Sequence, residues 1–340
     1  MTPAPDEFYR RLPKAELHCH LMGAVPAATF IELAKRNGQA PPSEDPEQVY
    51  DFVTFDEFLE VYVAVCNSVR TAEEFSRVLY ESLVLDADGA NLRYREVMFN
   101  PTNHPWLSYS EMLEGLLDGA RAAEQDRGVV CRLLPSINRE HGTRAAMELV
   151  ETVLAHPCDE VVGIGMDHNE DNALPELFED VFRAARDRGL SVTTHAGEFG
   201  HAERVRTAIE VLGCRRIDHG YGVARDEELM QRAKDLGVHF TGTWSVSVDY
   251  HGDDPATQPM GRMIRGGLDV SINSDDPAMY KVDMATEWTA AARTLSLEPD
   301  DIVRACLAAV DAAWLDEDGR RALRKSFEAE IDELRALTHP

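Results

Sequence analysis

Eight short β-rich runs, separated by stretches of helical length, constrain the fold of this chain more than any other feature. The runs cover residues 15–21, 92–100, 129–138, 160–168, 190–198, 216–222, 238–245 and 268–277. Intervening stretches such as 173–189 and 201–213 carry apolar residues at three- and four-residue spacing and end in glycine, as helices do. Strand–helix alternation favours a parallel sheet, so eight repeats predict an α/β fold, a (β/α)8 TIM barrel.

Two regions are longer than a minimal barrel requires. Residues 22–91 separate the first two runs and carry several helical patterns, so we predict a helical insertion after strand one. An insertion at that end of a barrel strand is placed to act as a lid. Residues 283–340 are predicted to form a C-terminal helical tail. Because 340 residues lie within the range of one barrel, we predict a single domain over residues 1–340.

The charge and hydropathy of the chain exclude some partners. A formal net charge of −27 repels phosphate backbones, which argues against DNA or RNA as a ligand. A membrane-spanning helix needs about 18–20 consecutive apolar residues, and the chain contains no such run. The polar segment 1–16 lacks the apolar core of a signal peptide, so we predict a cytoplasmic location. The sequence does not fix the oligomeric state: it is compatible with a monomer and with a homo-oligomer.

Ionisable side chains gather at the carboxyl ends of four of these runs. Alternation along a strand puts His18 and His20 on one face of the first run. A single histidine is more often a hydrogen-bonded core residue, but active sites of barrels are built at the carboxyl ends of the strands. The joint pattern therefore predicts one site, formed by His18, His20, His195, Glu198, His219, Asp275 and Asp276.

The residue types in this set favour a mononuclear zinc enzyme. Three histidines and one aspartate suit Zn²⁺ and leave a position for water, whose pKa the metal lowers toward neutrality. Glu198 is expected to move protons beside the metal, and His219 and Asp276 to orient the reactants. No lysine follows the fourth run, which argues against two metals bridged by a modified lysine. We predict one Zn²⁺ per chain, held by His18, His20, His195 and Asp275.

Four motifs carry a resemblance to a known family. "PKAELHCHLMG", "HAGE", "IDHG" and "NSDDP", in this order and spacing, resemble the adenosine deaminase family of the amidohydrolase superfamily, over residues 12 to about 310. The resemblance implies zinc-dependent hydrolysis of the 6-amino group of adenosine or a derivative, giving a 6-oxo purine and ammonia. It also implies that Glu198 protonates ring N1, that His219 steers the hydroxide, and that Asp276 holds the hydroxide and N7.

Three departures from that family bear on the substrate. Met22 replaces an aspartate that usually contacts the ribose 5′-OH, and a thioether cannot accept that hydrogen bond. This is either neutral drift or the sign of a substrate without a free 5′-OH. His168 replaces a glycine near purine N3, where it either narrows the pocket or faces the surface. The seventh run ends in "TGTWSVSVDYHGDD", with the large Trp244, instead of "CPTSN".

Two related activities are alternatives. "DHNE" resembles the adenine deaminases, whereas Met22 and "FDEFLEVYVAVCNSVRT" resemble the aminodeoxyfutalosine deaminases of menaquinone synthesis. The latter implies a benzoate-bearing substrate, and Arg139 would either pair with its carboxylate or lie on the surface. The side chains of the inserted helix that either cap the pocket or pack in the interior are Phe55, Phe58, Leu59 and Tyr62. The predicted substrate-binding residues are Met22, Gly23, Phe55, Phe58, Arg139, His168, Trp244 and Asp276.

Two other classes of function compete with deamination. One is a metal-binding homologue without turnover, but a pure binder has no use for the proton-transfer groups Glu198 and His219. The other is hydrolysis of an amide or phosphoester. A glutamate beside a single metal favours deamination of an aromatic ring, because a ring nitrogen must be protonated as water attacks.

Overall fold

The computed structural model describes residues 5–338. The first four residues of the polar N-terminal segment and the last two of the tail lie outside the described residues. The strands are β1 (Lys14–His20), β2 (Leu92–Phe99), β3 (Val130–Asn138), β4 (Gly163–Asp167), β5 (Ser191–Val192), β6 (His195–Ala196), β7 (Arg216–His219), β8 (His239–Thr243) and β9 (Asp269–Asn273). Neighbouring strands pair in parallel, in the orders β1-β2-β3-β4-β5 and β6-β7-β8-β9.

The segments β5 and β6 are two halves of one barrel strand. Thr193, between them, donates its backbone N–H to the carbonyl of Ile164 in β4, at 3.1 Å. The carbonyl of the next residue, Thr194, accepts the N–H of Asp218 in β7, at 3.0 Å. Residues 191–196 therefore bridge the two sets of strands, and the eight runs predicted from the sequence are all present.

The barrel is closed where β1 meets the end of β9. The backbone N–H of His20 donates to the carbonyl of Asp275 at 2.8 Å, and the N–H of Asp275 donates to the carbonyl of His18 at 3.2 Å. These bonds pair the last residues of the first strand with the segment after the last strand. The predicted barrel is confirmed, and its closing seam carries three of the predicted metal ligands.

Helices cover the outside of the barrel, so its parallel strands are buried on both faces. All seven residues of β1 are buried. The helices are α1 (Pro5–Arg11), α2 (Ala27–Arg36), α3 (Phe55–Ser68), α4 (Ala72–Ala90), α5 (Tyr109–Arg127), α6 (Gly142–Ala155), α7 (Glu179–Asp187), α8 (Ala202–Glu210), α9 (Glu227–Asp235), α10 (Trp244–His251), α11 (Pro259–Arg265), α12 (Met284–Leu295), α13 (Pro299–Ala312) and α14 (Glu317–Thr338).

The two additional regions are helical, as predicted. The insertion contains α2, α3 and α4, and α3 begins with a capping box in which Thr54 and Glu57 satisfy each other's backbone N–H groups. The tail contains α12, α13 and α14. The lid-like role of the insertion and the single-domain organisation stay predictions.

A buried ion pair between β1 and β2, which Asp86 of α4 also joins, holds the closing seam in register. Glu16, on β1, is fully buried and accepts hydrogen bonds from the side chains of Arg95 and Ser274. The backbone N–H of Ser274 also donates to Glu16, at 2.8 Å. Since Ser274 precedes Asp275, this carboxylate fixes the backbone that presents Asp275 to the site.

Candidate active site

Three imidazoles and one carboxylate converge at the carboxyl end of the barrel. His18 and His20 end β1, His195 begins β6, and Asp275 follows β9. One ligand atom from each of these buried residues lies within 4.8 Å of the other three. His20 Nε2 is 3.1 Å from His195 Nε2, and His18 Nε2 is 3.0 Å from Asp275 Oδ1.

The hydrogen bonding of this cluster fits a bound cation. Burial lowers the pKa of His20 to about 4, so its imidazole is neutral. Its Nε2 faces His195 Nε2 at 3.1 Å, and a hydrogen bond between two ring nitrogens holds only one proton. His18 Nε2 is buried and has no hydrogen-bond partner of suitable geometry in the described part of the chain. A metal ion accepts all of these lone pairs, and a set of three nitrogens and one oxygen matches zinc.

A carboxylate outside the cluster orients His195. Asp218 Oδ2 lies 3.4 Å from His195 Nδ1, the ring nitrogen that faces away from the cluster. The hydroxyls of Thr193 and Thr241 donate to Asp218 Oδ1 at 3.0 and 2.9 Å, which fixes the carboxylate. Thr241 also lies 3.1 Å from His18 Nδ1. Such contacts set the tautomer and direction of metal-binding histidines.

A second carboxylate, that of Asp167, is placed to orient His20 as Asp218 orients His195. Asp167 Oδ2 lies 3.6 Å from His20 Nδ1, and Asn100 Nδ2 donates to both oxygens of Asp167, at 2.7 and 2.9 Å. The sequence analysis missed Asp167 and Asp218. The signal that would have found them is the Asp-His pair that ends both the fourth and the sixth runs, Asp167-His168 and Asp218-His219.

We expect the Asp218→Asn variant to bind zinc about 10- to 100-fold more weakly than the wild type, because removing such a supporting carboxylate typically costs this much affinity. Competition with a chromophoric chelator measures the change in Kd. The Asp187→Asn variant, altered at an exposed position on α7, is the matched control. Equal zinc affinity in the wild type and in Asp218→Asn would mean that Asp218 does not support His195.

Three further ionisable side chains surround the cluster. His219 Nε2 lies 3.8 Å from Glu198 Oε1 and 3.8 Å from Asp275 Oδ2. Burial, together with the charges of Glu170 and Asp275, holds the pKa of Glu198 well above its usual value. Burial and the neighbouring Asp275 also raise the pKa of Asp276, whose Oδ1 has no hydrogen-bond partner within residues 5–338. Proton-carrying groups therefore face the cluster from two sides.

The backbone is strained at this end of the barrel. His168, His219 and Asp275 have φ angles of 69°, 62° and 64°, in the left-handed region that non-glycine residues rarely adopt. Such conformations persist where the surrounding structure enforces them, and they concentrate at functional sites. At each of these strand ends, the turn directs a polar side chain toward the cavity.

The structure corrects both interpretations of Arg139. Its side chain is fully buried, so it is not a surface residue, and it does not line the cavity where a substrate carboxylate would lie. Nη2 donates to the carbonyl of His195 at 2.7 Å, and Nε donates to the carbonyl of Asp167 at 2.9 Å. Arg139 therefore ties two strand ends together from behind the site.

A cavity of about 480 Å³ opens beside the cluster. His168, Phe55 and Phe58 line it, together with Glu198, His219, Asp276 and three of the four cluster residues. The fourth, His18, lies behind them and is fully buried. Leu59 and Tyr62, the other two side chains considered as a cap, also line the cavity. The wall residues that the sequence analysis did not consider are Asp167, Val246, Tyr250 and Tyr280.

Met22, Gly23 and Trp244 do not line this cavity, which corrects their assignment as substrate contacts. Met22 is buried in the 3-10 turn after β1 and packs in the hydrophobic core. A Cβ atom at Gly23 would lie 1.8 Å from Asp276 Oδ1, so this glycine makes room for Asp276. Trp244 is buried at the start of α10.

The atypical end of the seventh run reaches the cavity through α10. The backbone N–H groups of Trp244 and Ser245 donate to Glu287 at 2.8 and 3.1 Å, which fixes the start of this helix. The helix then places Val246 and Tyr250 in the cavity wall. The ring centroid of Phe55, on the inserted helix α3, lies 6.1 Å from that of Tyr250. Aromatic side chains from two separate helices thus meet beside the cavity.

A barrel that presents buried imidazoles, an aspartate and proton-carrying carboxyl groups at its carboxyl end has the architecture of a metal-dependent hydrolase of the amidohydrolase superfamily. A sequence profile of the adenosine deaminase family matches residues 13–330. The chain therefore belongs to this family, and the predicted resemblance is confirmed.

None of the helices within residues 5–338 combines the length and the apolar composition needed to cross a membrane.

Three relatives show how similar the chain is to known proteins. An amidohydrolase from Burkholderia ambifaria, solved with bound zinc, superposes with a TM-score of 0.92 at 33% identity, covering 100% of this chain and 96% of that one. An adenine deaminase of Caulobacter vibrioides is 34% identical over 88% of each chain. An adenosine deaminase of Clostridium perfringens is 29% identical over 93% of this chain and 98% of its own.

Proposed function

We propose that this protein is a zinc-dependent deaminase that hydrolyses the 6-amino group of an adenine-type purine, giving a 6-oxo purine and ammonia. The observation that carries the proposal is the convergence of four ligand atoms, within 4.8 Å of one another, beside Glu198, His219 and Asp276. Family membership supports the reaction type. The zinc found in the relative from Burkholderia ambifaria supports the choice of metal.

The roles of the side chains follow from their positions. Zinc held by His18, His20, His195 and Asp275 would lower the pKa of a water molecule toward neutrality. His219, whose Nε2 is 3.8 Å from both Glu198 and Asp275, is placed to accept a proton from that water as it attacks C6. Glu198 gives its proton to ring N1, so that the ring does not accumulate negative charge.

Asp276 completes the set by holding the purine. The Asp276 side chain lies in the cavity wall, where its carboxyl group can share a proton with ring N7. The glycine at position 23 leaves the space that this carboxyl group occupies. After water has added to C6 and N1 has been protonated, the amino group takes the proton held by His219 and leaves as ammonia. The new C6 hydroxyl returns its proton to Glu198, and the 6-oxo purine remains.

The charge of the cavity favours purines without a phosphate group. No lysine or arginine within residues 5–338 lines it, whereas four carboxyl groups do: Asp167, Glu198, Asp275 and Asp276. A phosphate dianion would enter without a partner cation, and burying an unpaired charge is costly. The carboxylate-bearing alternative is weakened for the same reason, because Arg139 lies behind the site.

Among uncharged purines, we propose that adenine is a better substrate than adenosine. Phe55, Phe58, Leu59 and Val246 make much of the wall apolar, and Tyr62 already bonds to Asn100. Each ribose hydroxyl left without a partner costs roughly 1–3 kcal/mol, which is about 5- to 150-fold in kcat/KM. The adenine deaminase name of the Caulobacter vibrioides relative supports this choice.

A panel of substrates tests the proposal. We expect kcat/KM for adenine to exceed that for adenosine by at least about fivefold, the lower bound for one unpaired buried hydroxyl. Activity on AMP should be weaker still. Release of ammonia and the change in purine absorbance report the reaction, and 5′-deoxyadenosine separates the effect of the 5′-OH from that of the ribose ring. A clear preference for adenosine would contradict the choice of adenine, and inactivity on every purine would contradict the proposed function.

The assignment of partners follows the same reasoning. The proposed ligand is a small purine, and the charge of −27 argues against a nucleic-acid partner. The cytoplasmic location stays a prediction.

A further inference from the structure

A second cleft lies at the opposite end of the barrel from the candidate active site. It is lined by Ser191, Arg216, His239 and Asp269, the first residues of β5, β7, β8 and β9. Its volume, counted as for the active-site cavity and including space open to solvent, is about 940 Å³, which is sufficient for a metabolite. Because these residues begin the strands whose other ends carry the metal cluster, the two cavities are separated by the length of the barrel.

The cleft concentrates positive charge on an acidic protein. The chain has 61 acidic residues against 34 lysines and arginines, yet four arginines line this one cleft. They come from separate elements: Arg186 from α7, Arg215 from the loop before β7, Arg216 from β7, and Arg320 from α14. The active-site cavity, in contrast, is lined by no lysine or arginine in the described part of the chain.

One of the two carboxylates that line the cleft has a cationic partner elsewhere. Asp311 pairs with Arg324, which does not line the cleft. Asp269 Oδ2 lies 3.4 Å from His239 Nδ1. Within residues 5–338, neither carboxylate forms an ion pair with any of the four cleft arginines.

Three of the four guanidinium groups lack a carboxylate partner. Within residues 5–338, no ion pair joins a carboxylate to Arg186, Arg215 or Arg320. Arg215 donates to a backbone carbonyl, that of Cys214, at 3.1 Å, and Arg320 donates to that of Leu315 at 3.5 Å. Arg186 and Arg215 are exposed and Arg320 is half-buried, so all three can reach a ligand.

The back wall of the cleft holds a buried cation with unused donors. Arg216 is only 2% exposed, its guanidinium lies 3.4 Å from the centre of the Trp314 ring, and its Nη2 is 2.7 Å from Glu96 Oε2. Its Nε and Nη1 have no hydrogen-bond partner within the described chain. A buried guanidinium acts in a medium of low dielectric constant, where its field on a nearby ligand is stronger than in water.

We propose that this cleft binds a phosphorylated small molecule through the guanidinium groups of Arg186, Arg215 and Arg320. The planar fork of a guanidinium matches the oxygens of phosphate and binds them in pairs. Three such groups without competing carboxylates suit a ligand with several charged oxygens, such as a diphosphate group. This site is independent of the deaminase proposal, because no residue of the cleft lines the active-site cavity.

Calorimetric titration of the zinc-loaded enzyme with pyrophosphate and with ADP, at constant ionic strength, tests the proposal. We expect pyrophosphate to bind the wild type, and the Arg186→Gln/Arg215→Gln variant to bind it at least about tenfold more weakly, since charge-assisted bonds to two guanidinium groups are lost. Binding of pyrophosphate and ADP with similar affinity would identify the phosphate group alone as the ligand. Much tighter binding of ADP that the same variant abolishes would identify a nucleotide.

Two controls separate a built site from general attraction of anions. The Arg188→Gln/Arg232→Gln variant removes the same charge at exposed arginines outside the cleft, and it should bind pyrophosphate as the wild type does. Both double variants should keep the deaminase kcat/KM measured without phosphate. Undetectable binding of both probes to the wild type, or an equal loss of affinity in the two double variants, would overturn the proposal. Because binding is measured directly, failure of the deaminase proposal leaves this test intact.

Discussion

The His195→Ala variant should contain less than a tenth of the zinc of the wild type, and its deaminase kcat/KM should fall by at least about 1,000-fold. Removing one of four ligands opens the cluster, in which His195 Nε2 lies 3.1 Å from His20 Nε2. A metal that activates water contributes several kcal/mol to catalysis, and each 1.4 kcal/mol or so is a factor of ten in rate. Elemental analysis of the purified protein and a steady-state assay measure the two effects.

The control for this variant is His156→Ala, which removes an exposed histidine whose Nδ1 lies 2.9 Å from the carbonyl of Thr152, outside the candidate active site. It should keep wild-type zinc content and activity. Thermal unfolding gives a readout besides activity: adding zinc should raise the midpoint of the wild type and of His156→Ala, but not that of His195→Ala, because a ligand stabilises only the fold that binds it. Near-stoichiometric zinc in His195→Ala would contradict the ligand assignment, and two metals in each wild-type chain would contradict a mononuclear site.

The Glu198→Gln variant should keep its zinc and lose about 10²- to 10⁴-fold in kcat, the usual contribution of a general acid or base. Glutamine has almost the size of glutamate but cannot give up a proton to ring N1. Glu198 is not among the four cluster residues, and its backbone N–H is held by Glu170 at 2.8 Å, so the substitution leaves the metal site in place. Elemental analysis of zinc and the steady-state rate on adenine test both statements.

The matched control is Glu203→Gln, the same substitution at an exposed position on α8. It should have wild-type kcat. A Glu198→Gln variant with near-normal kcat would show that another group moves the proton, and loss of zinc from this variant would show that Glu198 supports the metal site instead. In either case the proposed role of Glu198 would be wrong.

The barrel and the metal cluster were accessible from the sequence because both depend on strand periodicity. Each of the eight runs became a strand position, since helices of adequate length separate them and a parallel connection requires such a crossover. Alternation along β1 puts His18 and His20 on one face, whichever residues surround them. In a closed barrel all carboxyl ends of the strands meet at one mouth, so His195 and Asp275 join that pair despite their distance in sequence.

Residues beyond the strand ends were decided by the tertiary structure alone, because turns have no period that fixes the direction of a side chain. Met22, two residues after His20, packs in the hydrophobic core. Val246 and Tyr250 line the cavity, whereas Trp244 does not. From the sequence, Arg139 could be a surface residue or a substrate contact. In the structure it is buried, and its guanidinium donates to the carbonyls of Asp167 and His195, on strands that come later in the chain.

The active-site cavity could be predicted from the sequence, whereas the basic cleft could not. The active site could be found because its residues stand in motifs, each a few residues long, at the ends of strands. The basic cleft has no motif: Arg186, Arg215 and Arg320 lie on three separate segments, and their charges are hidden in a strongly acidic composition. The sequence determined which strand ends meet. Whether a charged side chain has a partner depends on the positions of all the charges around it, and only the folded chain specifies those positions.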